Sequence, residues 1–403
     1  MTKATFSHIT VIFIGAILFA TSCTRQGVAP EPDSLAARID SIISPLFPAN
    51  EPGAVVVISL GDSILYNHSF GLARLDSVCP ITDTTMMNIA SSTKTFTAAA
   101  ILKLAEEGKL SLDDKFIKFY PELNEKVFGE ITLRNVLSHT SGIPDLRPKD
   151  NEQWAKYVSE NTSVFAYGPD YRIYGKEREQ TNYIKHVDSL AFKPGSRFER
   201  QDPPYMLLLG VIEEASGENF EVWMQRNIFE PAGIEYASYV NQTRHIARMA
   251  HGYCKAQGDS KSNIFRSKDG QWDEFDYGEA DFFLTRADRG LYTNALDFTR
   301  WQHALNNGLV LSDESLNLLR TPLVDSDKNG EYCSLGINIA YTNGHQKLYH
   351  RSQRGGFSEI EATFPDLDLC YLVFSNRNDW DAIALINDID EVLIKEGLIN
   401  CAD

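Results

Sequence analysis

Residues 89–108 read IASSTKTFTAAAILKLAEEG. From Thr95 to Glu107 the stretch is apolar nearly all round, with Phe96, Ala98, Ala99, Ala100, Ile101, Leu102, Leu104 and Ala105 leaving no wide polar face. A helix of that kind is buried rather than laid on a surface, and Gly108 supplies its C-terminal stop. Ser91 falls at the first turn and Lys94 three residues on, so their side chains share one face. A serine hydroxyl is a weak nucleophile until a base takes its proton. Lysine is that base only when neutral, and burial and the positive end of a helix dipole both favour the neutral amine. The ordinary alternative for S-x-x-K is a helix cap followed by a surface lysine. In this chain Ser91 is the only serine with a lysine at that spacing, and it sits in a buried helix.

The surrounding sequence bounds what the pair can belong to. The 403 residues carry 38 Lys+Arg against 55 Asp+Glu, a formal net charge of −17. An acidic balance disfavours nucleic-acid partners, which need Lys and Arg for phosphates. Composition is globular, with 43% hydrophobic and 23% charged residues, which excludes a disordered chain or a multi-span membrane protein. Residues 1–22 have Lys3, an apolar run from Ile9 to Ala20 and small residues before Cys23. That pattern reads as a leader rather than a membrane span. It resembles a bacterial lipoprotein signal, which implies lipidation at Cys23, a membrane anchor there and a place in the bacterial cell envelope. Residues 23–32 read as a tether. The other cysteines, Cys79, Cys254, Cys333, Cys370 and Cys401, are widely spaced, and no zinc or P-loop motif is present, so no metal or cofactor is expected.

Residues 33–403 read as one α/β domain of the α+β type. Asp33 or Ser34 caps a helix whose apolar face is Leu35, Ile39, Ile42, Ile43 and Leu46. Ala54–Leu60 and Ile64–Phe70 around Gly61-Asp62 predict one hairpin, and Ile360–Phe364 and Leu369–Phe374 around residues 365–368 a second. Residues 380–398 predict a closing helix. A sheet fed from both ends of the chain follows, with an α/β lobe over about 33–109 and 286–403. The middle, about 110–285, is expected to be an inserted, mostly helical lobe. Its aromatic-rich segment, Trp154, Tyr157, Phe165, Tyr167, Tyr171, Tyr174 and Tyr183, reads either as a lid over the site or as lobe packing.

At this point the sequence resembles the serine β-lactamase and penicillin-binding-protein superfamily, nearest its class C, D-alanyl-D-alanine peptidase and esterase branch. The blocks that carry it are ASSTKTFTAAAILKLAEEGKLSLDDKF (90–116), ITLRNVLSHTSGIPD (131–145), PGSRF (194–198), GLYTNALDFTRW (290–301) and GGFSEIEATFPDLDLCYLVFSNRND (355–379). The resemblance implies an antiparallel sheet flanked by helices, a helical lobe, and the active site between them. It implies Ser91 as the acylated nucleophile and Lys94 as its partner. His350-Arg351-Ser352 matches the family's third motif, Lys-Thr-Gly or His-x-Gly on a strand lining the site, with Ser352 where glycine is usual, and the resemblance implies that His350 shapes the electrostatics there. The oxyanion hole would use the backbone N–H groups of Ser91 and Gln353.

Two departures stand out. After PGSRF the family carries Tyr-x-Asn, and here the matching residues are Arg200 and Asp202. Arginine stays protonated and is no base. It adds positive charge near Lys94, which favours the neutral amine. Lys94 alone would then deprotonate Ser91, with proton delivery slow or made by another group. Asp202 is expected to pair with one of these cations. Tyr205 is read as core. Ser352 either crowds the channel or bonds to the substrate, and Arg351 suits a substrate carboxylate. The reading is therefore an exported serine hydrolase that acts through an acyl-enzyme on cell-wall D-amino-acid peptides or on esters. Its ligand would be a small peptide, ester or β-lactam. The alternative is a catalytically impaired binding protein of the same fold, holding a peptidoglycan fragment or a protein partner.

Overall fold

The structure, a computed structural model, describes residues 34–144, 184–185, 187–239, 248–256, 266–274, 286–328 and 330–402. The expected leader, Cys23, the tether and the aromatic segment from Trp154 to Tyr183 lie outside the described residues.

The strands β1 (Ala54–Leu60), β2 (Ser63–Phe70), β3 (Val324–Lys328), β4 (Glu331–Cys333), β5 (Asn338–Thr342), β6 (His345–Arg354), β7 (Phe357–Phe364) and β8 (Leu369–Ser375) form one antiparallel sheet. Their spatial order is β3-β4-β5-β6-β7-β8-β1-β2. Both expected hairpins are present: β1 pairs β2 from Ala54↔Phe70 to Leu60↔Ser63, and β7 pairs β8 from Ser358↔Ser375 to Phe364↔Leu369. The two ends of the chain meet where β1 pairs β8, Ala54 opposite Ser375.

Four longer helices cover the sheet: α1 (Leu35–Ile43), α2 (Thr93–Glu106), α3 (Ala295–Asn306) and α4 (Ala382–Lys395). Successive side chains of β1 point to opposite faces. Val56 and Ile58 join a core with Ile39 and Ile43 of α1 and Leu385, Ile389 and Leu393 of α4. Val55 and Val57 join the other core, with Phe96 of α2 and Phe298 and Trp301 of α3. Covered on both faces, β1 reads as the unbroken run AVVVISL rather than an alternation. Phe96 stacks on Trp301 at 4.0 Å between ring centroids, which fixes α2 against α3. Burying each such ring stabilises the fold by roughly 1.5–3 kcal/mol.

The described residues between 110 and 285 contain the short helices Leu133–Leu137, Pro203–Met206, Leu208–Ser216 and Phe220–Met224, and also short strands. One of these, Ala237–Tyr239, pairs with Leu291–Thr293, which pairs in turn with Met87–Asn88. This small sheet places the chain just before Ser91 beside the chain just after Arg289.

Candidate active site

Ser91 is delivered by a local device. Asn88 accepts the Ala90 N–H on Oδ1 at 2.8 Å, and Ala90 takes the left-handed conformation, φ +43°. A non-glycine residue there costs on the order of 1 kcal/mol, a strain found at functional sites. The chain then makes a 3-10 turn over Ala90–Ser92 and runs straight into α2. Ser91 is 7% exposed and Lys94 1%.

Lys94 Nζ lies 3.1 Å from Ser91 Oγ. The same nitrogen is 3.1 Å from Asp202 Oδ1, 3.3 Å from the Asp288 carbonyl oxygen and 3.9 Å from Asp288 Oδ2. Arg289 closes the cluster, 3.1 Å from Asp288 and 3.6 Å from Asp202. Burial drives the Lys94 pKa below its ordinary value; the two aspartates oppose the shift, and Arg289 and Arg200 add to it. The amine is thereby tuned toward the neutral form a base requires. Asp202 is engaged by Lys94 and Arg289. Asp288 and Arg289 belong to the site, and the sequence reading did not identify them.

Arg200 donates through Nη2 to Asn338 Oδ1 at 2.8 Å, which ties it to β5. Removing its charge, as in Arg200→Met, should raise the Lys94 pKa. Less neutral amine is then present at neutral pH, so acylation at pH 7 should slow several-fold and its rise with pH should move upward. A pH series of labelling rates measures this, and an unmoved profile would deny Arg200 that influence.

His139, in the HTSG turn, is buried and accepts the Gln201 N–H on Nδ1 at 3.2 Å. Burial, with the Arg200 and Lys94 charges, holds its pKa well below the usual value, so it serves as a neutral support for the segment carrying Arg200 and Asp202. Tyr205 is core: its hydroxyl donates to the Lys94 carbonyl oxygen at 3.3 Å, which keeps it from standing in for the family's tyrosine. Gly336, φ +77°, lets the backbone pass there, since a Cβ would lie 2.3 Å from Tyr205 Oη.

The other side of the cleft is β6. Its pairing with β5 ends at Asn338↔Tyr349, so residues 350–354 continue past β5 toward Ser91. Ser352 Oγ accepts the Ser91 N–H at 3.0 Å, so the expected oxyanion donor is already bonded to the residue that stands where glycine is usual. Arg351 lies 3.9 Å from Glu331. Ser91, Arg200, Asp202, Arg351, Ser352 and Gln353 together line a cleft of about 380 Å³, a volume suited to a small ligand. His350 does not line it. It is buried behind the strand, 3.1 Å from Glu361 Oε1 and 3.5 Å from Thr95 Oγ1, with its pKa pushed down to about 3 by burial and the Arg200 and Lys94 charges. As a neutral ring facing away from the cleft, it is placed to support Glu361 rather than to touch substrate.

A serine at the head of a buried helix, its lysine one turn on and a facing strand, set on this antiparallel sheet, define the serine β-lactamase and penicillin-binding-protein superfamily, a class of serine hydrolases. The chain belongs to the Beta-lactamase family, whose model matches residues 39–393. It is 28% identical over 350 residues to penicillin-binding protein 4* of Bacillus subtilis, covering 85% of this chain and 72% of that one. It is 26% identical over 313 residues to a D-aminopeptidase of Gluconobacter oxydans, covering 77% of this chain but only 53% of that relative. Among solved structures, the D-amino acid amidase of Ochrobactrum anthropi complexed with D-phenylalanine superposes with a TM-score of 0.69 at 19% identity, over 90% of this chain and 98% of that one. That last likeness speaks for the fold.

Proposed function

We propose that this protein is a serine hydrolase that forms an acyl-enzyme on Ser91 and acts on small D-amino-acid amides or peptides, or on esters. The observation that carries the reading is the 3.1 Å approach of a fully buried Lys94 amine to Ser91 Oγ. Neutral Lys94 takes the hydroxyl proton as Oγ attacks the carbonyl carbon; the leaving group departs, and water then releases the acyl group. Penicillin-binding protein 4* and the D-aminopeptidase support the substrate class. Arg200 and Arg351 on the cleft wall suit a substrate carboxylate. We place the chain outside the cytoplasm, anchored by a lipid at Cys23, on its leader pattern alone. A second reading, a binding protein of the same fold, is favoured by the Ser352 hydroxyl occupying the Ser91 N–H.

The test is intact mass spectrometry after incubation with a fluorophosphonate and, separately, with a penicillin, using Ser91→Ala as control. An adduct present in the native protein and lost in the variant supports the hydrolase. Reaction with one reagent and not the other separates esterase-like from penicillin-binding chemistry. No adduct with either transfers support to the binding protein.

A further inference from the structure

Behind the cleft lies a pair of acids that the Ser91–Lys94 chemistry does not use. Glu359 and Glu361 sit on one face of β7, 1% and 3% exposed. In the register with β6, Ser352 stands directly opposite Glu359, and His350 opposite Glu361. Glu359 Oε1 accepts from Ser352 Oγ at 2.5 Å and from Ser92 Oγ at 2.8 Å. Its other oxygen, Oε2, is buried without a hydrogen-bond partner among the described residues. An ionised carboxylate with an uncompensated buried oxygen is costly, and a neutral acid is not. Ser92 is fully buried, whereas Ser352 lines the cleft beside Ser91. Of these two hydroxyl partners, Ser352 is the one that leads from Glu359 to a bound substrate.

We propose that Ser352 and Glu359 form a proton relay that serves the leaving group, the task for which Arg200 has no transferable proton. Ser352 is the catalytic residue, because its hydroxyl meets the substrate; Glu359 acts through it as a positioning residue and proton store. The inference rests on the hydrolase reading above. When the substrate oxygen takes the Ser91 N–H, Ser352 Oγ is released from that bond; its hydroxyl then turns from Glu359 to the leaving atom, and the 2.5 Å contact reverses, with Glu359 Oε1 carrying the proton and donating to the freed lone pair. In acylation, the Ser91 proton passes to neutral Lys94 as the Oγ–carbon bond forms. As the bond to the leaving group breaks, the leaving atom takes the Ser352 proton and Ser352 takes the Glu359 proton. Lys94 is then an ammonium and Glu359 a carboxylate. In deacylation, the attacking water passes a proton through Ser352 to Glu359, and Ser91 Oγ recovers its proton from Lys94, which restores the starting state.

Burial, with the neighbouring Glu361, pushes the Glu359 pKa up to about 8, so the store is filled at neutral pH. Two charged groups bear on Glu359: Glu361 on its own strand, which raises its pKa, and Arg200 across the cleft, which lowers it; His350 on β6 stands beside Glu361.

In acylation the relay matters only where the leaving group needs a proton. The experiment compares turnover of D-alaninamide, whose amine must be protonated, with the acylation burst of p-nitrophenyl acetate, whose phenolate leaves without one, on native protein, Ser352→Gly, Ser352→Thr and Glu359→Gln. Fluorophosphonate labelling confirms an active Ser91, and a melting curve confirms the fold of each. Loss of one proton-transfer group should cost the amide reaction about 10²-fold in Ser352→Gly and Glu359→Gln, and the ratio of amide turnover to the ester burst should fall by a similar factor. Ser352→Thr, which keeps the hydroxyl, should retain the amide activity. The native amide rate should fall as pH rises through the loss of the Glu359 proton, and Glu359→Gln should lack that fall. Equal losses on both substrates, or full amide activity in Ser352→Gly, overturn the relay. So does a native protein that labels at Ser91 but leaves the amide intact. A native protein that does not label at Ser91 defeats the hydrolase reading itself, and the relay falls with it.

Discussion

Lys94→Met is expected to slow fluorophosphonate labelling of Ser91 by about 10³-fold, the range lost when a general base is removed. The folded state should survive. Methionine fills much of the same buried space, and the carboxylates Lys94 leaves behind keep a cation, since Arg289 lies 3.1 Å from Asp288 and 3.6 Å from Asp202. The pH dependence gives the sharper test. The base is the neutral amine, so native labelling should rise with pH as the Lys94 ammonium loses its proton. Burial lowers that pKa, so the rise should come well before the pH at which a free lysine titrates. Lys94→Met should show a low rate with no such rise. Labelling of the variant at the native rate would mean that another group deprotonates Ser91. His139 and His350 are poor substitutes: His139 is committed through Nδ1 to the Gln201 N–H, and His350 faces away from the cleft.

What could be read in the sequence was what local pattern controls. The apolar run after Ser91 marks a buried helix, and the two hairpins carry their turns at Gly61-Asp62 and at residues 365–368. The rest of the site depends on chain crossings no local pattern records. Asp288 reaches Lys94 from 194 residues away, because Leu291–Thr293 pairs with Met87–Asn88 just ahead of the nucleophile. Glu359 and Glu361 were hidden differently. In SEIEATF the acids alternate with Ile360 and Ala362, the signature of a strand with one wet face. Every residue of β7 is buried, because helices cover both sides of the sheet, so the face that reads as solvated lies against the nucleophile's turn. The same blindness made His350 look like a cleft residue: the motif gives its place on β6, but not that its ring turns toward Thr95 and Glu361.

That dry acidic face should leave its mark on stability. Burial pushes the Glu361 pKa up to about 8, against the Gln302 hydrogen bond that opposes the shift. Unfolded, the same group titrates near 4.5. Between those two values the folded protein holds a proton the unfolded chain has lost, so this group's contribution to stability falls as pH rises through that window. Glu361→Gln imitates the protonated form at every pH. Its oxygen accepts from Gln302, and its amide donates to His350 Nδ1, which the neutral ring offers as an acceptor. The variant should therefore match the native protein near pH 5 and exceed it near pH 9 by on the order of 2–5 kcal/mol. Urea unfolding at the two pH values measures the difference. Parallel pH dependence in the two proteins would mean that Glu361 is ionised in the fold and compensated by its neighbours. Because Glu361 lies one step behind Glu359, the substitution should also remove the charge that helps keep Glu359 protonated. The amide reaction should then lose activity at a lower pH than in the native protein, which links the stability of this face to the proton it stores.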